Sequence, residues 1–261
     1  MTVSSPPPVI VDRDGAVALI RLNVPAKRNA LTADLVTALS AALDGVAADR
    51  SARAVVLTGS GGAFCAGGDL GGMEAADPLG GTAMMRACQG IVRRITSLPQ
   101  PVVAAVEGGA FGAGFSIALA CDLVVVAPSS RFCAAFGKVG LMPDLGLLWS
   151  LPQRVSLGRA RELLMLCEVL GGEAAVADRI ADMLAPEGEV LSTALSRARR
   201  LAEAAPGAVA AIKRVLAAWP QSLDEVLRAE EGGQALLMAT ADHGAARTAF
   251  FEKRAVSFEG R

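Results

Sequence analysis

The chain predicts an α/β fold, a parallel-sheet layer followed by a helical C-terminal part. Two patterns and one composition say so. Short apolar or β-branched runs alternate with helical patterns up to about Gly158, the signature of a parallel α/β layer. Beyond Gly158 the pattern turns almost wholly helical. Hydrophobic residues make up 52% of 261 residues and charged ones 20%, which requires a sizeable buried core or buried subunit contacts and excludes disorder.

Residues 9–11 and 16–22 flank Asp14-Gly15, a hairpin turn pair. Thr32 can cap a helix whose apolar positions Leu35, Val36, Leu39, Leu43 and Val46 keep helical spacing. Residues 54–57 form a short strand that ends in the loop Thr58-Gly59-Ser60-Gly61-Gly62. The glycine-bearing stretch from Gly71 to Gly81 reads as a mobile loop, and residues 84–98 as a helix ended by Pro99 and Pro101. A strand at 102–106, a helix at 112–120 and a strand at 123–126 follow. Helices are then expected at 159–167, 190–205, 208–218, 223–240 and 244–253. There is no internal repeat.

Net charge is −1, which gives no electrostatic reason for a nucleic-acid or anionic-membrane partner. With 4% aromatics and no Tyr, a base-stacking surface is not expected either. The five cysteines are odd in number and contain no CxxC, so they read as reduced thiols of a cytoplasmic protein, not a zinc site or disulfide frame. Residues 1–8 lack a basic segment followed by an apolar core, and Pro6-Pro7-Pro8 reads as a frayed arm. The apolar stretch from Val102 to Val126 is broken by Glu107, several glycines and Asp122, so no membrane span is expected.

Two features carry chemistry. Asp144, in Gly140-Leu141-Met142-Pro143-Asp144-Leu145-Gly146, is an acid among apolar neighbours; desolvation raises such a pKa and suits the group to carry a proton near neutrality. Its other reading is a helix N-cap before Leu145. The turns Ala63-Phe64-Cys65-Ala66-Gly67-Gly68-Asp69-Leu70 and Gly109-Ala110-Phe111-Gly112-Ala113-Gly114 each lead from strand to helix, where bare N–H groups can collect negative charge. Either alone would be an ordinary tight turn. Gly109, Gly112 and Gly114 have the wrong order for a dinucleotide fingerprint, and no P-loop is present. Ser116 lacks a nucleophile elbow, and the single histidine, His243, lies far off as a surface or cap residue, so a Ser–His site is not expected.

The two turns and Asp144 together resemble the crotonase superfamily, the enoyl-CoA hydratases and isomerases. The likeness extends over Pro25-Ala26-Lys27-Arg28-Asn29-Ala30-Leu31, Phe64 to Leu70, Pro101 to Gly108, Gly112-Ala113-Gly114 with Ala118 to Asp122, Lys138 to Asp144 and Phe250-Phe251-Glu252-Lys253-Arg254, in family order over nearly the whole chain. It implies a crotonase-like spiral core at residues 1–200 and a helical C-terminal trimerisation region at 201–261, assembled as homotrimers or hexamers. It implies an acyl-CoA thioester substrate, with coenzyme A as the substrate's carrier and neither cofactor nor metal. The amides of Gly68 and Ala113 would form the oxyanion hole. Ala66, Gly67, Asp69 and Leu70 would lie along the CoA, and Lys27, Arg28 and Lys253 would approach its phosphates, the last from a neighbouring subunit. Solvated surface charge is the alternative for these three cations. Phe111, Phe115, Phe136 and the loop Gly71 to Gly81 are the candidates to shape the acyl pocket.

One departure redirects the function. The family's hydratases use two glutamates, and here those positions hold Ser116 and Phe136, which can neither activate water nor supply its proton. Asp144 instead falls where isomerase branches carry their base. Leu141 to Gly146 with Trp149 and Leu151-Pro152 most resembles the ring-opening isomerases of phenylacetate breakdown. Dehalogenases of the superfamily also place an Asp here but rely on a His near the position of Cys88. The reading is therefore an enoyl-CoA isomerase; an acyl-CoA-binding paralogue with little catalysis is the alternative.

Overall fold

The computed structural model describes residues 6–72 and 78–261. Strands β1 (Val9–Asp14) and β2 (Val17–Leu22) pair antiparallel across Asp14-Gly15, with Asp14 opposite Val17. Helix α1 (Ala33–Ala48) starts at Thr32, whose side chain accepts from the Leu35 N–H at 3.2 Å and so satisfies one of the first-turn amides. Its buried residues are Leu35, Val36, Leu39, Leu43 and Val46, the five that the spacing singles out.

Strand β3 (Ala54–Gly59), helix α2 (Pro78–Ser97), strand β4 (Val102–Val106), strand β5 (Gly109–Phe111), helix α3 (Ala113–Ala120), strand β6 (Leu123–Val126) and strand β7 (Arg131–Cys133) complete the α/β part. Helix α2 starts six residues before the expected position. A proline at the first helical position has no N–H to leave unpaired. Ile91 and Ile95 are fully buried, with Met85, Cys88 and Val92 packed beside them, and this apolar face overrides the weak helix propensity of Gly80-Gly81. Residues 78–81 are thus helix, not loop, while 73–77 lie outside the described residues.

The main sheet has the order β1-β2-β3-β4-β6-β9, where β9 is Met183–Leu184; every pair after the first is parallel. Alternate residues of its central strands enter two different cores. Val55, Leu57, Val102, Ala104, Val106, Val124 and Val126 face α1, α2 and α3. Ala54, Val56, Val103, Ala105 and Val125 pack on Ala194, Ala198 and Ala202 of a later helix, α7 (Val190–Ala202). A sheet covered on both faces explains why these strands read as continuous apolar runs. A second sheet, β5-β7-β8, adds the two-residue strand β8 (Leu170–Gly171). Strands β8 and β9 correct the expectation of an almost wholly helical chain beyond Gly158; two residues are too few to show a period.

Short helix α4 (Leu147–Ser150), then α5 (Leu157–Leu166) and α6 (Gly172–Ala177), precede α7. The chain ends with α8 (Pro206–Leu216), α9 (Leu223–Met238) and α10 (Ala241–Glu252). Helix α8 is pinned to the sheet by Lys213, buried, whose amine donates to the Gln100 carbonyl at 2.9 Å and pairs with Asp122 at 2.7 Å. Asp122 also accepts from the first N–H of β4 at Val102, and Asp182, paired with Arg154, does the same for Val124 near the start of β6. Thr240 caps α10 by accepting from the exposed His243 amide. No helix among the described residues is long and apolar enough to cross a membrane.

Candidate active site

The two glycine-rich turns are laced together by backbone hydrogen bonds. Cys65 N donates to Gly109 O at 3.0 Å and Phe111 N to Cys65 O at 2.9 Å. The Gly67 carbonyl accepts from Leu31 N at 2.8 Å, and Ala66 N donates to Arg28 O, so the loop from Pro25 to Leu31 lies along the same edge. Asn29 organises that loop: fully buried and left-handed, it accepts from Val24 N and donates to the Ser60 and Ala63 carbonyls. Sequence reasoning assigns Asn29 no role; its signal is an asparagine in a turn, the residue that tolerates this conformation and bonds backbone locally.

Gly67 has φ +100, and a Cβ placed on it would lie 2.8 Å from Phe111 O and 3.5 Å from Ala113 N. The turn at Gly67-Gly68 therefore abuts the first amide of α3. Among the described residues no backbone carbonyl takes the Gly68 or Ala113 N–H. The ring of Phe136 stands beside this point, 3.8 Å from where a Cβ of Gly112 would be.

Asp144 is half-buried, and its Oδ1 is buried with no hydrogen-bond partner among the described residues. Burial raises its carboxyl pKa to about 6. The N-cap reading is overturned: α4 starts at Leu147 with Gly146 as its cap residue, and no side chain caps it. The Asp144 carbonyl, not its carboxylate, closes the turn by accepting from Leu147 N at 3.1 Å. One turn into α3, the Ser116 hydroxyl donates to that same carbonyl at 3.0 Å. Cys88 of α2 lies close enough for the Asp144 charge to add to the burial that raises its thiol pKa. Asp144, Ala113 and the Gly67-Gly68 turn thus converge around the start of α3.

The remaining candidates are placed as follows. Lys27 and Asp69 form an ion pair at 2.5 Å. Arg28, exposed, lines a cavity of about 370 Å³ with Ala66, Gly109 and Phe111, next to the laced turns. Leu70 opens a single 3-10 turn and is 56% exposed. Lys253, exposed at the left-handed end of α10, has no hydrogen bond or ion pair to these residues among those described. Phe115 is not a pocket residue: it is buried in the core with its ring centroid 5.1 Å from that of Phe132. Burial pushes the Cys65 and Cys121 thiols up to about 12, which makes them inert. No group of three or more metal-ligating side chains is assembled among the described residues.

Residues 12–261 match the family model described as enoyl-CoA hydratase/isomerase. A probable enoyl-CoA hydratase of Rhodobacter capsulatus is 39% identical over 246 residues, covering 94% of this chain and 95% of that protein. The 1,2-epoxyphenylacetyl-CoA isomerase of Escherichia coli is 35% identical over 251 residues, covering 94% and 95%. Among solved structures, an enoyl-CoA hydratase from a Polaromonas species superposes with a TM-score of 0.91 at 34% identity, covering 96% of this chain and 99% of that one. One from Bacillus anthracis gives 0.93 at 27% identity, covering 97% and 100%.

Proposed function

The chain belongs to the enoyl-CoA hydratase/isomerase family, and within it we propose that it is an acyl-CoA isomerase with Asp144 as its single base. The observation that carries this reading is the Asp144 carboxyl, its Oδ1 buried without a partner among the described residues and its pKa raised to about 6, on a backbone bonded through Ser116 to the helix that starts at Ala113, with Ser116 and Phe136 where a hydratase needs glutamates. Asp144 takes the proton alpha to the thioester, and the electrons of that C–H bond move into an enolate. The Gly68 and Ala113 N–H groups hold the enolate oxygen, each contributing about 2.7–4 kcal/mol at such sites. Asp144 then returns the proton further along the chain and the double bond shifts. The sequence of steps is redox-neutral, so coenzyme A enters as the substrate's carrier and not as a cofactor.

Arg28 and Ala66 line the cavity beside the laced turns, which supports a CoA path there, with Gly67, Asp69 and Leu70 following Ala66 along the chain. Lys27 is held by Asp69, so its contact with a phosphate requires exchange of one anion for another. Lys253 would serve a neighbouring subunit. Assembly as a homotrimer or hexamer is supported by the apolar surface of α8 to α10: Phe250 and Phe251 are 78% and 73% exposed. A groove of about 490 Å³ between α8 and α9 is lined by Ile212, Leu216, Trp219 and Leu237. A cytoplasmic site of action fits five free cysteines.

The test is a panel of 3-enoyl-CoA, dienoyl-CoA and ring-epoxide CoA thioesters, assayed for isomerisation and for deuterium uptake at the alpha carbon. Wild type should turn over at least one class, and Asp144→Asn should lose about 10²–10⁴-fold, the usual weight of a general base, while still binding CoA. Tight CoA binding by wild type with no turnover above Asp144→Asn would establish the non-catalytic binder instead. Retained exchange in the variant would move the base elsewhere. Glu107, just after β4, is the next acid; Glu74 lies outside the described residues.

A further inference from the structure

We propose that Ser116 is the positioning residue of this site, its hydroxyl fixing the backbone of Asp144 to the helix that opens the anion hole. The proposal rests on the isomerase reading above. The buried oxygen of the Asp144 carboxylate is not gripped: Oδ1 has no partner among the described residues. Its place is therefore set through its backbone. Two donors hold the Asp144 carbonyl, Leu147 N from within the local turn and Ser116 Oγ from 28 residues away.

The remote bond is the one that relates the base to the hole. Ser116 is fully buried and sits one turn after Ala113 on α3, the helix whose first amide faces Gly67. A helical serine ordinarily donates back to the carbonyl four residues earlier. Here that carbonyl, Gly112 O, is 3.4 Å away and Asp144 O is 3.0 Å away, so the single hydroxyl proton is committed to the longer-range partner. The segment it holds needs holding. Leu145 has φ +48 and Gly146 φ +80, two left-handed residues in succession, and a leucine keeps that conformation only when its surroundings enforce it. Among the described residues Cys88 of α2 is a titratable group close to Asp144, and burial is what raises the Asp144 carboxyl.

The test compares Ser116→Ala with wild type in alpha-proton exchange, measured as kcat and KM across pH, with a thermal melt of each. Alanine fits the buried helical position, so the melt should move little. Exchange should fall by up to about a hundredfold in kcat, the scale of an ångström-level misplacement, with KM nearly unchanged. The midpoint of the acid limb should drop below the wild-type value as the released loop admits water to Asp144. A variant with wild-type kcat and midpoint, or one whose loss only follows its unfolded fraction, would overturn the proposal while leaving the isomerase reading intact. A wild type that exchanges no proton on any thioester of the panel would overturn both.

Discussion

Gly114 rests directly on Cys65: a Cβ at Gly114 would stand 2.3 Å from the Cys65 carbonyl oxygen and 2.8 Å from its Cβ. The contact joins the first turn of α3 to the loop after β3 that leads into Gly67-Gly68. Because the Cys65 carbonyl also accepts from Phe111 N, it cannot swing away without breaking the lacing between the turns. Gly114→Ala should therefore push the two amides apart. The overpacking should cost roughly 1–3 kcal/mol of stability. Loss of one aligned donor should lower kcat for alpha-proton exchange by about 10²–10³-fold. A melt together with exchange kinetics checks both; an alanine variant that exchanges like wild type would separate the packing from the hole.

Water addition should be negligible. Ser116 donates to a backbone carbonyl, and Phe136 places a hydrocarbon ring beside Gly112, next to the first amide of α3. Neither offers an acid or a base at neutral pH. Crotonyl-CoA hydration, followed by loss of the enoyl absorbance, should stay far below the turnover of about 1–1,000 per second that enzymes show. Hydration within that range would restore the hydratase reading that the Rhodobacter relative carries in its name.

The pin between α8 and the sheet should be important for stability and remote from the chemistry. Lys213→Met removes the partner of Asp122 and leaves the Gln100 carbonyl uncovered. Removing one member of a sealed ion pair costs roughly 3–5 kcal/mol. Asp122 keeps 30% of its side chain exposed and still has the Val102 N–H, so roughly 2–3 kcal/mol is the expectation here. Chemical denaturation would read it; an unchanged midpoint would mean that α8 is held by its apolar contacts alone.

Much of this fold is legible in the chain because its local signals agree with its burial. Asp14-Gly15 turns the hairpin, Thr32 caps α1, and the five periodic apolar residues of α1 are the five that it buries. The candidate site is reached through the likeness of both glycine turns and Asp144 to a family, and the structure laces those two turns together. What escaped has physical causes. Gly80-Gly81 hides the first turn of α2, because helix propensity is local and the packing of Ile91 and Ile95 is not. Phe115 and Phe136 look alike as letters, yet one fills the core against Phe132 and the other stands at Gly112. Asp144 followed by Leu145-Gly146 resembles a helix start, but two successive left-handed residues delay the helix to Leu147. The pairing of Lys213 with Asp122 joins residues far apart in the chain and leaves no local mark.

If Asp144 is the base, as proposed, one ionisation links rate and stability, and the two should respond to pH in opposite directions. Its carboxyl titrates near 6 in the fold, against 3.8 for an unperturbed aspartate, because burial disfavours the charged form. As a base it works only when ionised, so exchange should rise as pH passes through about 6 and level off above it. For stability the sign reverses. Below the ordinary value both folded and unfolded chains carry the proton and nothing is lost. Between that value and about 6 the unfolded chain releases its proton first, so the fold loses stability as pH rises, and the loss is complete above the folded value. Part of Asp144 remains exposed, so solvent screens the penalty. Asp144→Asn removes the charge with little change of shape, and no capping bond is sacrificed because the side chain makes none. The variant should match wild type at about pH 3, below the unfolded value, and melt higher at about pH 7.5, by up to about 2–4 °C if the screened penalty is near 1 kcal/mol. A variant less stable than wild type at pH 7.5 would show that the carboxylate is stabilised by a partner in solution, and the desolvated base would have to be abandoned.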